Sequence, residues 1–555
     1  MRKAFYTVSL LLFAVTGFCQ DLGGKLRDTD GAVLTEGNAP QETVVEGIYK
    51  EGLRGLRSII DPESGECIGH FVFYKSDKGI KVLLFDPDLQ PTHEVALHVA
   101  ADGKVGSAVY NGTALAFIVY ENAGSFSLFS ISTNGEVIGS KSFTYSHEFT
   151  GVDLLPCTSD GGYYLLAQVS DGKSTGYQIL KLSSDIKTIW DQRKYPEHGY
   201  LIADAAISLP GQLIVIQRES EAVSYSRNVR VKPDLVCYDE GNGDLLFTSP
   251  LYDKDYLAIP NQLIADKEGN IVIAGEYYEG ERIKSDNSDG VFFKKLSASG
   301  DVLTYNLLSW EKGIQKQLAK TKLKLTGKNK VYFHNISLTD DGGYQVIAET
   351  FATSVGRKLL TSGLAMLGGD YEAIAESANQ ATCLAARSSG RYLGEPTEKE
   401  APVTISAQDF LIFHFDAEGQ LEEVTKIEKE YTKIFIYDPY MYVGGLKLAR
   451  MINEFGFMDY AFCIRPEGSE QAVLIANCAN ASPKHFAIIN ITKGEEKKVR
   501  KIPIFEIGVN DDGRKPEMVG VVPGARGSMV IYYLSKGDKD NLGALHMYKE
   551  TINNE

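Results

Sequence analysis

Residues 159–169 read SDGGYYLLAQV, a polar turn of aspartate and glycine that leads directly into a run of β-prone side chains. The same order returns at residues 267–274, KEGNIVIA, and at residues 340–348, DDGGYQVIA. Clusters of Asp and Gly between aromatic and β-branched runs are typical of hairpin turns. The glycine of this turn recurs at Gly65, Gly112, Gly162, Gly211, Gly269, Gly343, Gly468 and Gly527.

A second polar turn lies between these glycines. It follows the glycine by 23 residues in the first three repeats, at Asp88, Gly135 and Asp185. Two hairpin turns in every 50 residues or so give four strands per repeat, which is typical of a β-propeller blade. The eight glycines therefore predict an all-β chain that forms one propeller of eight four-stranded blades. Seven blades, or two smaller propellers, are the alternatives. The second turn also occurs at residues 239–243, 297–300 and 416–419.

The last repeat is one strand short. After Gly527 the chain has room for only two strands, at residues 528–535 and 543–549. A spare β-prone segment, Glu42 to Lys50, lies near the N-terminus. Pairing the first segment with the last blade would remove two exposed sheet edges. We therefore predict that Val44 to Tyr49 completes the C-terminal blade and closes the propeller.

The N-terminus has the pattern of a secretory signal peptide. Arg2 and Lys3 precede a short apolar core, Val8 to Val15, and Cys19 ends the segment before the expected cleavage. That core is too short to span a bilayer. We expect an exported protein in the periplasm, on the outer surface or secreted; acylation of Cys19 is an alternative fate. The predicted order is a signal peptide at 1–19, an N-terminal segment at 20–41 and the propeller at 42–555.

The chain is acidic, with a formal net charge of −16. Removing residues 1–19 takes away the positive charges of Arg2 and Lys3, so −16 becomes −18. Because nucleic-acid affinity depends largely on neutralised phosphates, this acidity argues against a nucleic-acid partner. Solubility is the simplest role for the charge.

Strand direction divides the predicted propeller into two ends. Both polar turns join strands A to B or C to D, so they all lie at one end, which we call the turn end. The B–C and D–A loops vary in length and lie at the other end, the loop end, where function is usual. The long loops are residues 277–289 in unit five, residues 311–330 between units five and six, and an insertion at 353–404 in unit six. Within the insertion, Asp370 caps a predicted helix over residues 371–386.

Lysines cluster in the segment between units five and six. On an acidic protein they indicate a site for an anionic partner, such as a glycan, a lipid head group or an acidic envelope protein. The alternative is a solvated helix followed by an edge strand, whose lysines discourage pairing with another sheet. The candidate residues are Lys312, Lys316 and Lys320, which recur at helical spacing, and Lys322 and Lys324.

Two carboxylates follow matching strands in adjacent units. Glu276 ends the run that begins at Ile271, and Glu349 ends the run that begins at Val346. Their equivalent positions predict a shared polar site at the mouth of the propeller channel. The alternative is that a strand simply ends in a polar residue. His334 and His414 lie in strands of one unit, but two histidines without a third ligand do not make a metal site.

The sequence contains no catalytic, cofactor-binding or metal-binding signature: H-E-x-x-H, G-x-S-x-G and the P-loop are all missing. The six cysteines beyond Cys19 include no C-x-x-C pair, which argues against zinc. Cys463 and Cys478 flank one predicted hairpin and are the candidate disulfide. Buried free thiols are the alternative reading of these cysteines.

The Asp-Gly-Gly-Tyr turns at residues 160–163 and 341–344 resemble those of exported bacterial β-propellers of the uncharacterised cell-envelope type. The turns depart from the sialidase Asp box, because neither Trp190 nor Trp310 follows one of them. The resemblance implies a monomeric, non-catalytic binding or scaffold propeller without a cofactor. A carbohydrate-active enzyme, either a glycoside hydrolase or a lyase with its site at the loop end, is the alternative function.

Overall fold

The protein is nearly all-β in a computed structural model, whose described residues contain 33 strands and one short helical segment. The strands form mostly four-stranded antiparallel units, which we call units one to eight in chain order, and a parallel bridge between Thr175 and Tyr200 joins units three and four into one eight-stranded sheet. The structure describes residues 42–49, 54–76, 79–99, 103–122, 124–144, 149–157, 159–197, 199–221, 230–283, 288–319, 330–355, 403–429, 432–436, 458–465, 471–478, 485–492, 499–503, 518–536 and 542–552.

Each of the first four units is a meander of strands A, B, C and D. Unit one contains β2 Arg54–Ile60, β3 Cys67–Ser76, β4 Gly79–Phe85 and β5 Pro91–Leu97. Unit two contains β6 Lys104–Tyr110, β7 Ala114–Asn122, β8 Ser125–Ser132 and β9 Val137–Thr144. Unit three contains β10 Phe149–Pro156, β11 Tyr163–Ser170, β12 Thr175–Leu182 and β13 Thr188–Lys194. Unit four contains β14 Tyr200–Leu209, β15 Gln212–Ser220, β16 Val231–Asp239 and β17 Leu245–Pro250.

The next three units keep this order, and unit six adds a fifth strand. Unit five contains β18 Tyr256–Ala265, β19 Ile271–Glu279, β20 Gly290–Leu296 and β21 Val302–Ser309. Unit six contains β22 Lys330–Leu338, β23 Tyr344–Val355, β24 Val403–Phe415, β25 Leu421–Ile427 and β26 Thr432–Ile436. Unit seven contains β27 Tyr460–Ile464, β28 Ala472–Cys478, β29 His485–Ile491 and β30 Val499–Pro503. Between units five and six, a π-helical turn at Trp310–Ile314 leads into the helix α1 Gln315–Ala319.

The eighth unit is built from both ends of the described chain. Its first three strands are β31 Met518–Pro523, β32 Ser528–Lys536 and β33 Leu542–Thr551. Its fourth strand is β1 Glu42–Tyr49, which pairs antiparallel with β33, so that Val45 lies opposite Leu545. The predicted pairing of the N-terminal strand with the C-terminal unit is therefore confirmed.

The predicted polar turns connect the predicted strands, and their glycines have two different roles. In the turn at Asp160, Gly161 has a φ of +69°, a conformation that glycine adopts without strain. The next glycine, Gly162, lies against strand C, where a Cβ would collide with the carbonyl oxygen of Leu182. The turn of unit six repeats both roles, with Gly342 at a φ of +84° and Gly343 against the carbonyl of Phe415. The repeated Gly-Gly pair thus reflects one repeated backbone geometry.

Apolar clusters join each unit to the next. Strands B and C supply most of the buried side chains, whereas the outermost strands are largely exposed. Phe73 of unit one packs on Phe117 of unit two, with ring centres 4.9 Å apart. One cluster also joins the first unit to the last, where Val72 packs with Leu545 and Met547. The other clusters join the remaining consecutive pairs in the same way.

Three lysines on strand C bridge neighbouring units at the turn end. Lys181 binds Asp160 of its own unit and Glu240 in the C–D turn of unit four, at 2.8 and 2.9 Å. Lys295 binds Asp266 of its own unit at 2.9 Å and donates to the carbonyl of Ala417, in the C–D turn of unit six, at 3.5 Å. Lys549 binds Asp88 at 2.9 Å and so connects unit eight to unit one. These bridges repeat because the same register brings strand C beside the next C–D turn.

The insertion predicted at residues 353–404 falls between strands B and C of unit six, as expected. Val355 and Val403 are its last paired residues, and most of the segment between them lies outside the described residues. The predicted helix over 371–386, the signal peptide at 1–19 and the N-terminal segment at 20–41 also lie outside them. No described helix has both the length and the apolar character needed to cross a bilayer.

Candidate functional site

Glu276 and Glu349 take equivalent positions in adjacent units, as predicted. Each is the sixth residue of its B strand, in β19 and β23 respectively. Glu276 lies opposite Ile259 on strand A of unit five. Glu349 lies opposite Tyr332 on strand A of unit six. Both side chains are buried near the loop end. Each is held by its own set of partners, and a single site shared by the two stays a prediction.

The Glu349 carboxylate is the centre of a buried charge cluster between units six and seven. It is fully buried, with 0% of its surface exposed. His334 Nε2 lies 3.2 Å from it, and Lys429 Nζ, from the segment after β25, lies 3.0 Å from it. The backbone N–H of Asp459, just before β27, donates a hydrogen bond of 3.1 Å to the same carboxylate. Three elements of two units therefore converge on one side chain.

Lys429 neutralises two buried acids at once. Its ammonium group contacts both Glu349 and the carboxylate of Asp459, which is also buried. Burial alone would raise the pKa of Glu349, but Lys429 and His334 outweigh it and hold this pKa below its ordinary value. Burial likewise lowers the pKa of Lys429, and Glu349 and Asp459 reverse that effect. The cluster is thus an ion-pair network that stays charged at neutral pH.

The register of strand A explains the position of His334. The pairing of β22 with β23 shifts between Phe333 and Asn335, so His334 is the extra residue of a β-bulge. Bulges redirect a side chain out of the regular alternation. The ring of His334 stacks on Tyr460 of unit seven, with centres 4.6 Å apart and planes 14° apart. The histidine therefore reaches across the boundary between the two units.

Glu276 lies in a different environment. Its carboxylate accepts a hydrogen bond of 2.7 Å from the hydroxyl of Ser288. The indole N–H of Trp310 donates in turn to that hydroxyl at 3.0 Å. Burial raises the pKa of Glu276 to about 7, only partly offset by Ser288 and by the charge of Lys330. Glu276 therefore carries a proton for much of the time at neutral pH, whereas Glu349 is ionised.

The raised pKa of Glu276 predicts a pH-dependent stability. Because the folded state holds this proton up to about pH 7 and the unfolded chain releases it near 4.5, stability falls as the pH rises between these values. The contribution is about 3 kcal/mol across that range. In Glu276→Gln this part of the pH dependence should vanish, as measured by urea unfolding between pH 5 and pH 8. An unchanged slope in the variant would contradict the assignment.

Part of the predicted lysine cluster is helical and solvent-facing. Lys312 lies in the π-helical turn and Lys316 in α1, and both are exposed. Ile314 and Leu318, from the same segment, are fully buried against units five and six. Lys320, Lys322 and Lys324 lie outside the described residues. The apolar residues thus fix the segment so that two of the five lysines point away from the protein at the loop end.

The predicted disulfide between Cys463 and Cys478 is wrong, because both thiols are free. Cys463 lies opposite Leu474 in the hairpin, so Cys478 is four residues further along the same strand. At about 3.3 Å per residue this separation is roughly 13 Å, well beyond the reach of a disulfide. Burial raises the pKa of both thiols to about 12. They behave as apolar core residues of unit seven.

One family model spans most of the sequence. The model described as a family of unknown function, DUF6770, matches residues 32–542. The chain belongs to the DUF6770 family. No curated protein matches it.

Solved structures similar to this DUF6770 member are distant in sequence. A protein of unknown function from Bacteroides caccae is 11% identical over 65% of this chain and 94% of its own, with a TM-score of 0.25. A member of the DUF4221 family from Bacteroides vulgatus is 9% identical over 83% and 98%, with a TM-score of 0.32. Prolyl oligopeptidase B from Galerina marginata is 9% identical over 88% and 55%, with a TM-score of 0.40.

Sequence reasoning on this DUF6770 member missed most of the Glu349 cluster. Lys429 and Asp459 are 80 and 110 residues away from Glu349 in the chain, and neither lies in a recognisable motif. It also missed a polar cluster at the turn end, where Cys157 lies 3.3 Å from Glu240 of the next unit. No local signal reveals such contacts, because they depend on how units pack against each other.

Proposed function

We propose that this DUF6770 member is an exported, non-catalytic binding propeller of the bacterial cell envelope, with eight blades. The loop end of blades five to seven would be its binding surface, and an anionic envelope component its ligand. The basic, apolar and small residues of positions 1–19 support export.

The propeller of eight blades is supported by the packing between units. Each unit shares an apolar cluster with the next, and unit eight shares one with unit one. The N-terminal strand completes unit eight, and Lys549 ties that unit to Asp88 of unit one. When each sheet packs against two neighbouring sheets, only the outermost strands have exposed edges, as in a propeller.

The main support for a binding role is that the Glu349 carboxylate at the loop end is buried and ion-paired. A general acid or base must reach a substrate, yet this side chain is fully buried and bound by Lys429 and His334. Its contacts instead brace the boundary between units six and seven. The long insertion of unit six leaves the sheet at Val355, six residues beyond Glu349 on the same strand. A rigid frame below a long loop is typical of binding surfaces.

An anionic ligand is supported by the exposed lysines between units five and six. Lys312 and Lys316 form no ion pair with any described residue, although the protein carries a net charge of −16. Exposed positive charges attract anions locally, although the rest of the acidic protein repels them. The predicted lysine cluster would also include Lys320, Lys322 and Lys324.

Affinity electrophoresis of the full chain in gels containing alginate, dextran sulfate, neutral dextran or laminarin tests this proposal. We expect retardation in the acidic polysaccharides alone, weakened by Lys312→Glu with Lys316→Glu and by added salt. Lys187→Glu, at an exposed lysine of unit three, is the matched control and should leave retardation unchanged.

The same samples test the competing function. Glu276 and Asp234, whose pKa values burial raises to about 7 and about 6, are described carboxyls that would act as general acids near neutral pH only where a substrate reaches them. If the chain releases reducing ends from any of these polysaccharides, and Glu276→Gln abolishes the release, the protein is a carbohydrate-active enzyme and the binding role is wrong.

A further inference from the structure

The turn-end boundary between units three and four holds donors of the kind that bind zinc. Cys157 follows β10, Asp160 lies in the next turn, and Glu240 lies in the C–D turn of unit four. One donor atom from each lies within 4.8 Å of the other two. Cys157 and Glu240 are buried, whereas the side chain of Asp160 is 40% exposed and provides a route from solvent.

The carboxylates are already oriented by the backbone. The N–H of Gly162 donates to Asp160 Oδ1, and the N–H of Gly211 donates to Glu240 Oε2, both at 2.9 Å. The other oxygen of each acid faces the ammonium of Lys181, at 2.8 and 2.9 Å. Two carboxylate oxygens that already face one cation could supply two of the ligands of a metal site. Lys181 is the cation that now lies between them.

A second observation points to a missing ligand at this cluster. The hydroxyl of Tyr164 is fully buried and has no hydrogen-bond partner among the described residues. Lys181 Nζ lies 6.0 Å from the centre of its ring. A ligand at this cluster would supply the partner that the buried hydroxyl lacks.

The other lysine bridges lack these extra groups. Lys295 also binds an aspartate, Asp266, but the nearby hydroxyl of Tyr344 donates to that aspartate at 3.2 Å and is satisfied. Lys549 binds Asp88 and the carbonyl of Pro87. The thiol, the second carboxylate and the unsatisfied hydroxyl are found together at the Lys181 bridge. Cys157 donates to Glu240 at 3.3 Å, so the hydroxyl of Tyr164 is the group of this cluster that no described contact explains.

We propose that Cys157, Asp160 and Glu240 bind one zinc ion, which displaces the ammonium of Lys181 from between the two carboxylates. The hydroxyl of Tyr164 or of Ser159 completes a four-coordinate site. Cys157 releases its thiol proton to solvent and binds as the thiolate, with no change of oxidation state. Three anionic donors and one Zn²⁺ leave a charge of −1, which the displaced Lys181 neutralises from outside. The ion would join units three and four.

Cobalt titration of the chelator-treated full chain tests the site. We expect one equivalent of Co²⁺ to give a thiolate-to-cobalt charge-transfer band that Zn²⁺ abolishes. Cys157→Ser should remove the band, and Cys237→Ser, a matched buried cysteine of unit four, should keep it. Asp160→Asn, at a partly exposed position, should weaken Co²⁺ binding about 10-fold or more. Lys181→Met should tighten binding, because it removes the competing cation.

Two outcomes would overturn the proposal. One is the absence of a charge-transfer band in the folded wild-type chain. The other is a band that persists in Cys157→Ser or is equally reduced in Cys237→Ser, which would place the metal at another cysteine. Lys295→Met controls for general effects of removing a bridging lysine, and its Co²⁺ affinity should equal that of the wild-type chain.

Discussion

Lys429→Met should destabilise the folded chain by roughly 3–5 kcal/mol at pH 7. The substitution removes the ammonium group that the buried carboxylates of Glu349 and Asp459 share. Urea unfolding measures the loss. Because the two carboxyl groups can then take up protons while buried, the difference between variant and wild type should narrow as the pH falls towards 5.

Two further variants test whether the lost ion pairs cause this destabilisation. Lys187→Met removes an exposed ion pair with Asp185 and should leave stability unchanged, because exposed pairs contribute little. Adding Glu349→Gln to Lys429→Met should recover part of the loss, because it removes a buried charge that no longer contacts a lysine. A loss below about 1 kcal/mol in Lys429→Met would show that the cluster is not an ion-pair brace between units six and seven.

Removal of the N-terminal strand should have a comparable or larger effect. A chain that begins at Lys50 lacks β1, so β33 becomes an unpaired edge and the cluster around Leu545 and Met547 loses Val45. Burial of one such aliphatic side chain contributes about 1.5–3 kcal/mol, and an open strand edge invites aggregation. We expect a lower thermal midpoint and oligomers in size-exclusion chromatography.

The matched control is a chain that begins at Gln41, which retains the whole of β1. It should behave as the full chain does. An excess of a peptide of residues 41–50 should restore a monomer from the shortened chain, since the strand pairs through its backbone. A chain from Lys50 that remains monomeric with an unchanged midpoint would show that the N-terminal strand does not close the fold.

The repeat could be predicted from the sequence because its signals are local. Each Gly-Gly turn encodes its own geometry: Gly161 supplies the left-handed conformation, and Gly162 makes room for the carbonyl of Leu182. Strand boundaries follow from where these turns fall. The incomplete last repeat then predicts the partner of β1. The helical spacing of Lys312 and Lys316 was informative for the same reason, although the segment begins with a π-helical turn rather than an α-helix.

The contents of the sites could not be predicted, because they depend on register and on packing between units. The disulfide prediction assumed that Cys463 and Cys478 flank a hairpin at matching heights, and the register places Leu474 opposite Cys463 instead. The equivalence of Glu276 and Glu349 was visible in the sequence. The opposite shifts of their pKa values were not visible, because Lys429, which lowers the pKa of Glu349, lies 80 residues away in the chain.

The most direct test of the binding role replaces residues 356–402 with a two-residue Asn-Gly turn. Val355 and Val403 are paired neighbours, so a tight hairpin can close the sheet of unit six. We predict an unchanged thermal midpoint together with weaker retardation in alginate and dextran sulfate gels, because Lys312 and Lys316 remain in the shortened chain. Retardation equal to that of the intact chain would contradict the assignment of the binding surface to the loop end of unit six.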